Sequence, residues 1–130
     1  MKKIDRLIQL AIPIVSETKI ANDDGIIEKQ FKGYVSSYGA AITQSGLLAA
    51  TVFFENENAD TEAARQKVPN AILHLINEQD NFGNLSDYIL HKPKEGKEVK
   101  KITHSQKLRL IAEAAVALKI AMRTFKFKED

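Results

Sequence analysis

The stretch Phe31–Phe54, FKGYVSSYGAAITQSGLLAATVFF, limits what this chain can fold into more than any other. Lys32 is its single charge. Phe31, Tyr34, Tyr38, Ala41 and Ser45 recur at steps of 3 and 4, the spacing of one helix face. Beyond Gly46 the apolar residues close up, from Leu47 through Phe54. A segment apolar on nearly all sides must be buried on nearly all sides. The stretch therefore reads as a central helix, or two helices jointed near Ser45-Gly46, around which the others pack. Gly33 and Gly39 inside the pattern each cost about 1 kcal/mol relative to alanine. Close packing of a neighbouring helix against their bare backbone is the simplest account of them.

The flanking segments are helical too. Over residues 2–20, Ile4, Leu7, Ile8, Ala11, Ile12 and Val15 trace an amphipathic stripe. Pro13 falls inside it and should kink or split the helix, because proline removes a backbone hydrogen bond. The opening MKKIDRLIQLAIPIV has the two lysines of a signal peptide, but Asp5, Arg6 and Gln9 interrupt its apolar run. Asn22-Asp23-Asp24-Gly25 is a turn, and the central segment is expected to begin at about Ile26. A polar loop follows it, after which Asp60 or Thr61 can cap a helix running to about Glu78. Pro69 lies within that helix and suits a restart in its first turn. Asn84 can cap a short helix ending at Leu90.

Residues 91–101, HKPKEGKEVKK, are almost devoid of apolar side chains and read as a solvated, mobile loop. Thr103-His-Ser-Gln106 is a capping box, which opens the last helix. Leu108, Ile111, Ala115, Leu118, Met122 and Phe125 then recur at steps of 3 and 4, in a helix of about six turns. Part of this stripe is expected on the central helix and part against another protein. No run of alternating β-branched residues argues for a sheet. At 130 residues the chain is long enough for one core. The expected fold class is all-α, a single compact domain of five to six helices over residues 1–130. No stretch reaches the roughly 20 apolar residues of a membrane span.

Chemistry is sparse in the sequence. There is no cysteine, and the three histidines, His74, His91 and His104, have no metal-ligand spacing. His74 reads as half-buried and hydrogen-bonded, the other two as solvated. A histidine pair cleaving RNA would need two of them brought together. Asp23-Asp24 and Glu55, Glu57 and Asp60 lack calcium-loop spacing and read as solvated turns. No phosphate loop or nucleophile elbow is present. Neither catalytic residue, metal nor cofactor is expected.

Charge says more. Residues 1–91 hold 8 Lys/Arg against 12 Asp/Glu, whereas residues 92–130 hold 11 against 5. The net +2 of the chain thus hides a basic C-terminal part. On the last helix Lys119, Arg123 and Lys126 are spaced by 4 and 3, with Lys107 and Arg109 near its start. Such a stripe is the footprint of a phosphate-backbone binder, or equally a solubilising face. These five are the candidate phosphate contacts, with Lys29 and Lys32 as weaker additions. Along most of this helix no aromatic residue interleaves with the charges, so base stacking is not indicated.

The central stretch resembles the small α-helical subunit of type III-B CRISPR effector complexes, the Cmr complexes. That family has an early tyrosine, a Leu-Pro linker, then a polar-Gly-Leu motif entering an apolar helix. Here the matching residues are Tyr34, Ser45-Gly46-Leu47 and Ala49 through Phe54. Ser45 stands in place of the usual Asn, and Tyr38-Gly39 in place of Leu-Pro. Leu110-Ile111-Ala112-Glu113-Ala114 resembles the family's terminal helix, without its frequent tryptophan. The resemblance implies a non-catalytic, cytoplasmic subunit. It would stack with further copies of itself into a minor filament beside the backbone and large subunits, and hold guide-paired target RNA on a basic surface. The rival reading is an all-α protein-interaction module without a nucleic-acid role.

Overall fold

The computed structural model describes residues 2–56 and 62–129. Six helices carry the fold: α1 (Lys3–Glu17), α2 (Phe31–Ser45), α3 (Leu47–Glu55), α4 (Lys67–Leu75), α5 (Leu85–Leu90) and α6 (His104–Met122). Two short strands, β1 (Ile26–Ile27) and β2 (Lys126–Phe127), pair in parallel. The expected helical class holds, with this two-stranded sheet as an addition. Each strand has only two residues, too few for alternation to register in a sequence.

The centre of the fold is α6. It packs against α1, α2 and α4, and α1 is its most extensive neighbour. Ala114, Ala117 and Ala121 are fully or almost fully buried on α6, and Ala11 and Val15 are fully buried on α1. Small side chains at these positions let the helix backbones approach closely. The Phe31–Phe54 stretch is therefore not the axis of the fold. It forms two of the outer helices, and Val52 and Phe53 on α3 are exposed, Phe53 by 60%. Its inward face is nonetheless well packed, with Phe31, Val35 and Tyr38 from α2 and Leu47, Ala50, Thr51 and Phe54 from α3.

Gly46 is the joint between α2 and α3, at φ 95° and ψ 162°. That region is essentially closed to residues with a Cβ, so the sequence's Ser45-Gly46 break becomes a hinge of fixed geometry. Tyr38 ties the two helices across it. Its hydroxyl lies 2.6 Å from Thr51 Oγ1, which donates to the Leu47 carbonyl at 2.8 Å. The Tyr38 and Phe54 rings meet at 5.1 Å between centroids. Gly33 and Gly39 do not mark close helix packing. Both are exposed, and a methyl built on either meets no atom within 4 Å.

Other boundaries shift for local reasons. α1 runs through Pro13 unbroken and stops at Glu17, where Thr18 Oγ1 donates to the Ile14 carbonyl and Lys19 turns left-handed at φ 65°. Ile26 and Ile27 are strand, not helix, because the Asn22 side chain closes the turn by accepting from the Asp24 and Ile26 amides. α4 is shorter than its pattern suggests and carries Pro69 in its first turn, as expected. The suggested caps Asp60 and Thr61 lie outside the described residues. Asn84 caps α5 as expected, accepting from the Asp87 amide at 2.8 Å. Glu55 is no solvated turn residue, since Oε2 accepts from the Leu85 and Ser86 amides at the start of α5. The lysine-rich loop is tethered: the Lys94 amide donates to Asn81 O at 2.7 Å, and Val99 and Ile102 pack on the core.

Three outcomes follow from the Gly46 joint, the open Gly39 site and the Tyr38 tie. Gly46→Ala should cost about 1–3 kcal/mol in urea unfolding, because alanine is strained there. Gly39→Ala, in an open helical site, should stabilise by about 0.5–1 kcal/mol. Burial pushes the Tyr38 hydroxyl up to about 12, with Thr51 opposing and Glu55 adding. Its stabilisation is complete below the ordinary value of 10 and is lost as pH rises from 10 through 12. Tyr38→Phe should therefore make alkaline destabilisation shallower, while costing about 1 kcal/mol at neutral pH.

Candidate nucleic-acid interface

α6 presents its candidate cations in three different environments. Its start is fixed by the capping box, with Thr103 Oγ1 accepting from the Gln106 amide and Gln106 Oε1 accepting from the Thr103 amide. That sets the rotation of the helix, and the buried row runs through Lys107, Ile111, Ala114 and Leu118. Lys107 is accordingly only 4% exposed. Its Nζ donates to the Ile89 carbonyl at 3.0 Å and sits 5.6 Å from the Tyr88 ring centroid. Burial, and then the nearby Lys101 charge, hold its ammonium pKa below the ordinary value. Lys107 is thus a tie between α5 and α6, not part of a solvated stripe. The steps of 4, 3 and 4 from Lys107 to Leu118 are visible in the sequence. The alanines at 114, 115 and 117 leave the register of the stripe open by one residue.

Arg109 is exposed but lies beside Glu113, with Nε 4.0 Å from Oε1. The same carboxylate takes Lys3 Nζ from α1 at 2.8 Å. Arg109 and Arg123 are 14 positions apart, or about 21 Å along the axis. They do not share one site.

The C-terminal end of α6 is different. The helix ends at Met122 and Arg123 is its C-cap, so Lys126 is not on the helix but on β2. The chain turns there through hydrogen bonds from the Arg123, Thr124 and Phe125 amides to Ile120, Ala121 and Met122. β2 then lies beside β1 in the register Ile26–Lys126 and Ile27–Phe127, and the Lys128 amide donates to Ile27 O at 2.8 Å. Lys128 Nζ also stands 3.6 Å from Glu28 Oε1. This return brings the tail onto the start of α2.

Lys32, Lys119 and Arg123 thereby converge on one cleft of about 270 Å³, floored by Phe31, Met122 and Phe127. Lys119 Nζ donates to Ser36 Oγ at 2.6 Å, which joins α6 to α2. Lys32 Nζ lies 5.2 Å from the Phe127 ring centroid. Among the described residues, Lys32, Arg123 and Lys126 pair with no carboxylate. Lys29, just before α2, is exposed. Lys32, a weaker candidate in the sequence, is thus closer to Lys119 and Arg123 than periodicity on α6 could indicate. The signal was absent from any single helix because the cleft is built from three elements.

The histidines stand apart in character. His74 is half-buried on α4, and its Nδ1 donates to the Asn70 carbonyl at 2.9 Å. His91 ends α5 at φ 57° with its ring 6.0 Å from Phe82, and His104 is exposed at the start of α6. Among the described residues no three His, Cys, Asp or Glu side chains gather as a metal site. No helix among them is long and apolar enough to cross a membrane.

A small helical fold with cations gathered where its last helix ends is the class of molecule these observations define. The family model for CRISPR-associated protein (Cas_Cmr5) matches residues 7–123. The chain belongs to that family, the small subunits of type III-B Cmr complexes. The match spans all six helices apart from the first turn of α1, and stops at Arg123, before β2. The comparisons with curated proteins and with solved structures give no match.

Lys107→Met should lower stability at neutral pH by about 1–3 kcal/mol, because the buried Ile89 carbonyl loses its donor. The unfolded chain keeps this lysine's proton to higher pH than the folded chain does. Its contribution to stability therefore rises with pH in the window just below 10.5 and is lost as pH falls through the folded value. Urea titrations across that window should show the rise in the parent and not in Lys107→Met.

Proposed function

We propose that this chain is a non-catalytic structural subunit that holds target RNA in a cytoplasmic Cmr ribonucleoprotein through phosphate contacts. The observation that carries the reading is the convergence of Lys32, Lys119 and Arg123 on one cleft, with Lys126 exposed on β2, one residue before the Phe127 that lines it. Lys32 from α2 and Lys119 and Arg123 from the end of α6 bring like charges to one cleft, and a polyanion would relieve their repulsion. Arg109 gives a second point of positive charge farther along α6, tempered by Glu113. Lys107 is committed to Ile89 and is left out of the surface. Binding of this kind is independent of base sequence and weakens steeply with salt. Repetition of the site in stacked copies would multiply a weak single contact.

A specific observation also supports the protein-contact half of this reading. Leu108, Ala112, Val116 and Ile120 are exposed on α6 at steps of 4, with Val116 51% exposed. Such a row is the ridge that packs into the groove of another helix. It shares Leu108 with the stripe expected from the sequence, whose Ile111, Leu118 and Met122 are buried. This row suits contact with another copy or with the backbone and large subunits of the complex. An interaction module without RNA contact would use it alone.

Single-stranded RNA binding measured at rising salt, on the free chain and in the assembled complex, checks the proposal. Arg109→Glu, Lys119→Glu and Arg123→Glu together should reduce target-RNA retention by tenfold or more, and flatten its salt dependence, by removing phosphate contacts. Lys107→Met should retain RNA normally once folding is confirmed. Unchanged retention in the triple variant, with subunits still co-purifying, would leave the interaction module as the function. The uncharged changes Val116→Ser with Ile120→Ser should instead weaken co-purification while leaving free-chain RNA affinity intact.

A further inference from the structure

We propose that the cleft between the start of α2, the end of α6 and β2 seats one nucleotide of single-stranded RNA, its base stacked on Phe127 and its phosphates held by Lys119 and Arg123. This rests on the RNA-holding reading above and adds to it a stacking contact that charge alone does not supply. The C-terminal return sets an aromatic ring beside Lys32, far from it in sequence, and beside Lys119 and Arg123 at the end of α6. Phe127 is partly exposed and lines the cleft with Lys32, Lys119 and Arg123. Lys32 Nζ already occupies a position 5.2 Å from the ring centroid, drawn by the negative potential of its face. A base has the same use for that face, and Lys32 is an exposed chain free to turn toward a phosphate.

Size agrees with a single base. The cleft, at about 270 Å³, falls just short of the roughly 300 Å³ at which pockets for whole small molecules begin. An aromatic platform flanked by cations is the recurring arrangement for single strands, and it tolerates any base because every base has a π-face. The platform is also held in place. β2 is pinned by its pairing with β1, by the Lys128 amide on Ile27 O and by Lys128 beside Glu28.

The test compares a labelled twelve-residue oligouridylate with an abasic strand of the same length and charge, each titrated by anisotropy against the full-length chain and against the assembled complex. The parent should favour the strand with bases by about fivefold or more. Phe127→Leu keeps apolar bulk on β2 and should erase that preference, whereas Phe127→Trp should keep it. Thermal melting establishes that each variant is folded. Lys119→Glu with Arg123→Glu should weaken both strands alike. If Phe127→Leu keeps the preference, or the parent never shows one while still binding RNA, the nucleotide seat is wrong and the phosphate reading stands. If the parent binds neither strand in either setting, the RNA reading falls and the seat with it.

Discussion

The burial of α6 against α1 is the contact on which the rest of this structure depends. The two helices share the most extensive contact among the described elements, and Ala114, Ala117 and Ala121 on α6 and Ala11 on α1 are fully or almost fully buried. The capping box at Thr103 fixes where α6 starts and hence which side faces inward. One rotation then decides everything else about the helix. It buries Lys107, exposes the Leu108–Ile120 row, and points Lys119 at Ser36 on α2.

The outer helices follow from a second constraint, the Gly46 joint. A backbone at φ 95° lets the apolar Phe31–Phe54 stretch fold on itself, so α2 and α3 cover one another and bury their own best side chains. The stretch needs less cover from the rest of the chain than its composition implies. That is why Val52 and Phe53 remain at the surface. Phe53 is partly shielded by the Arg65 guanidinium, 4.5 Å from its ring centroid.

The function proposed for the chain divides along the same lines. The exposed apolar row on α6 and the cationic cleft at its end are separate surfaces of one helix. A subunit that touches proteins and RNA at once needs this separation, because a phosphate backbone and an apolar ridge cannot share the same ground. The two-stranded return of the tail is small in area. Its consequence is large, since it sets Phe127 and its neighbouring lysines beside the start of α2.

The sequence by itself determined the helices, the Gly46 break, the Asn84 and Thr103 caps and the basic C-terminal part. These are local matters, set by periodicity of 3.6, by backbone freedom at glycine and by side chains that reach only one turn. It also held enough of the family's pattern around Ser45-Gly46-Leu47 for the resemblance to be read. Only the tertiary structure decided which helix is central, because a run of alanines leaves the buried face of α6 ambiguous by one residue. Only it decided that Lys107 is a core tie, that Lys126 leaves the helix, and that Lys32 and Phe127 meet Lys119 and Arg123. Those outcomes depend on side chains as much as 95 positions apart in the chain, and no local spacing encodes a distance closed by packing.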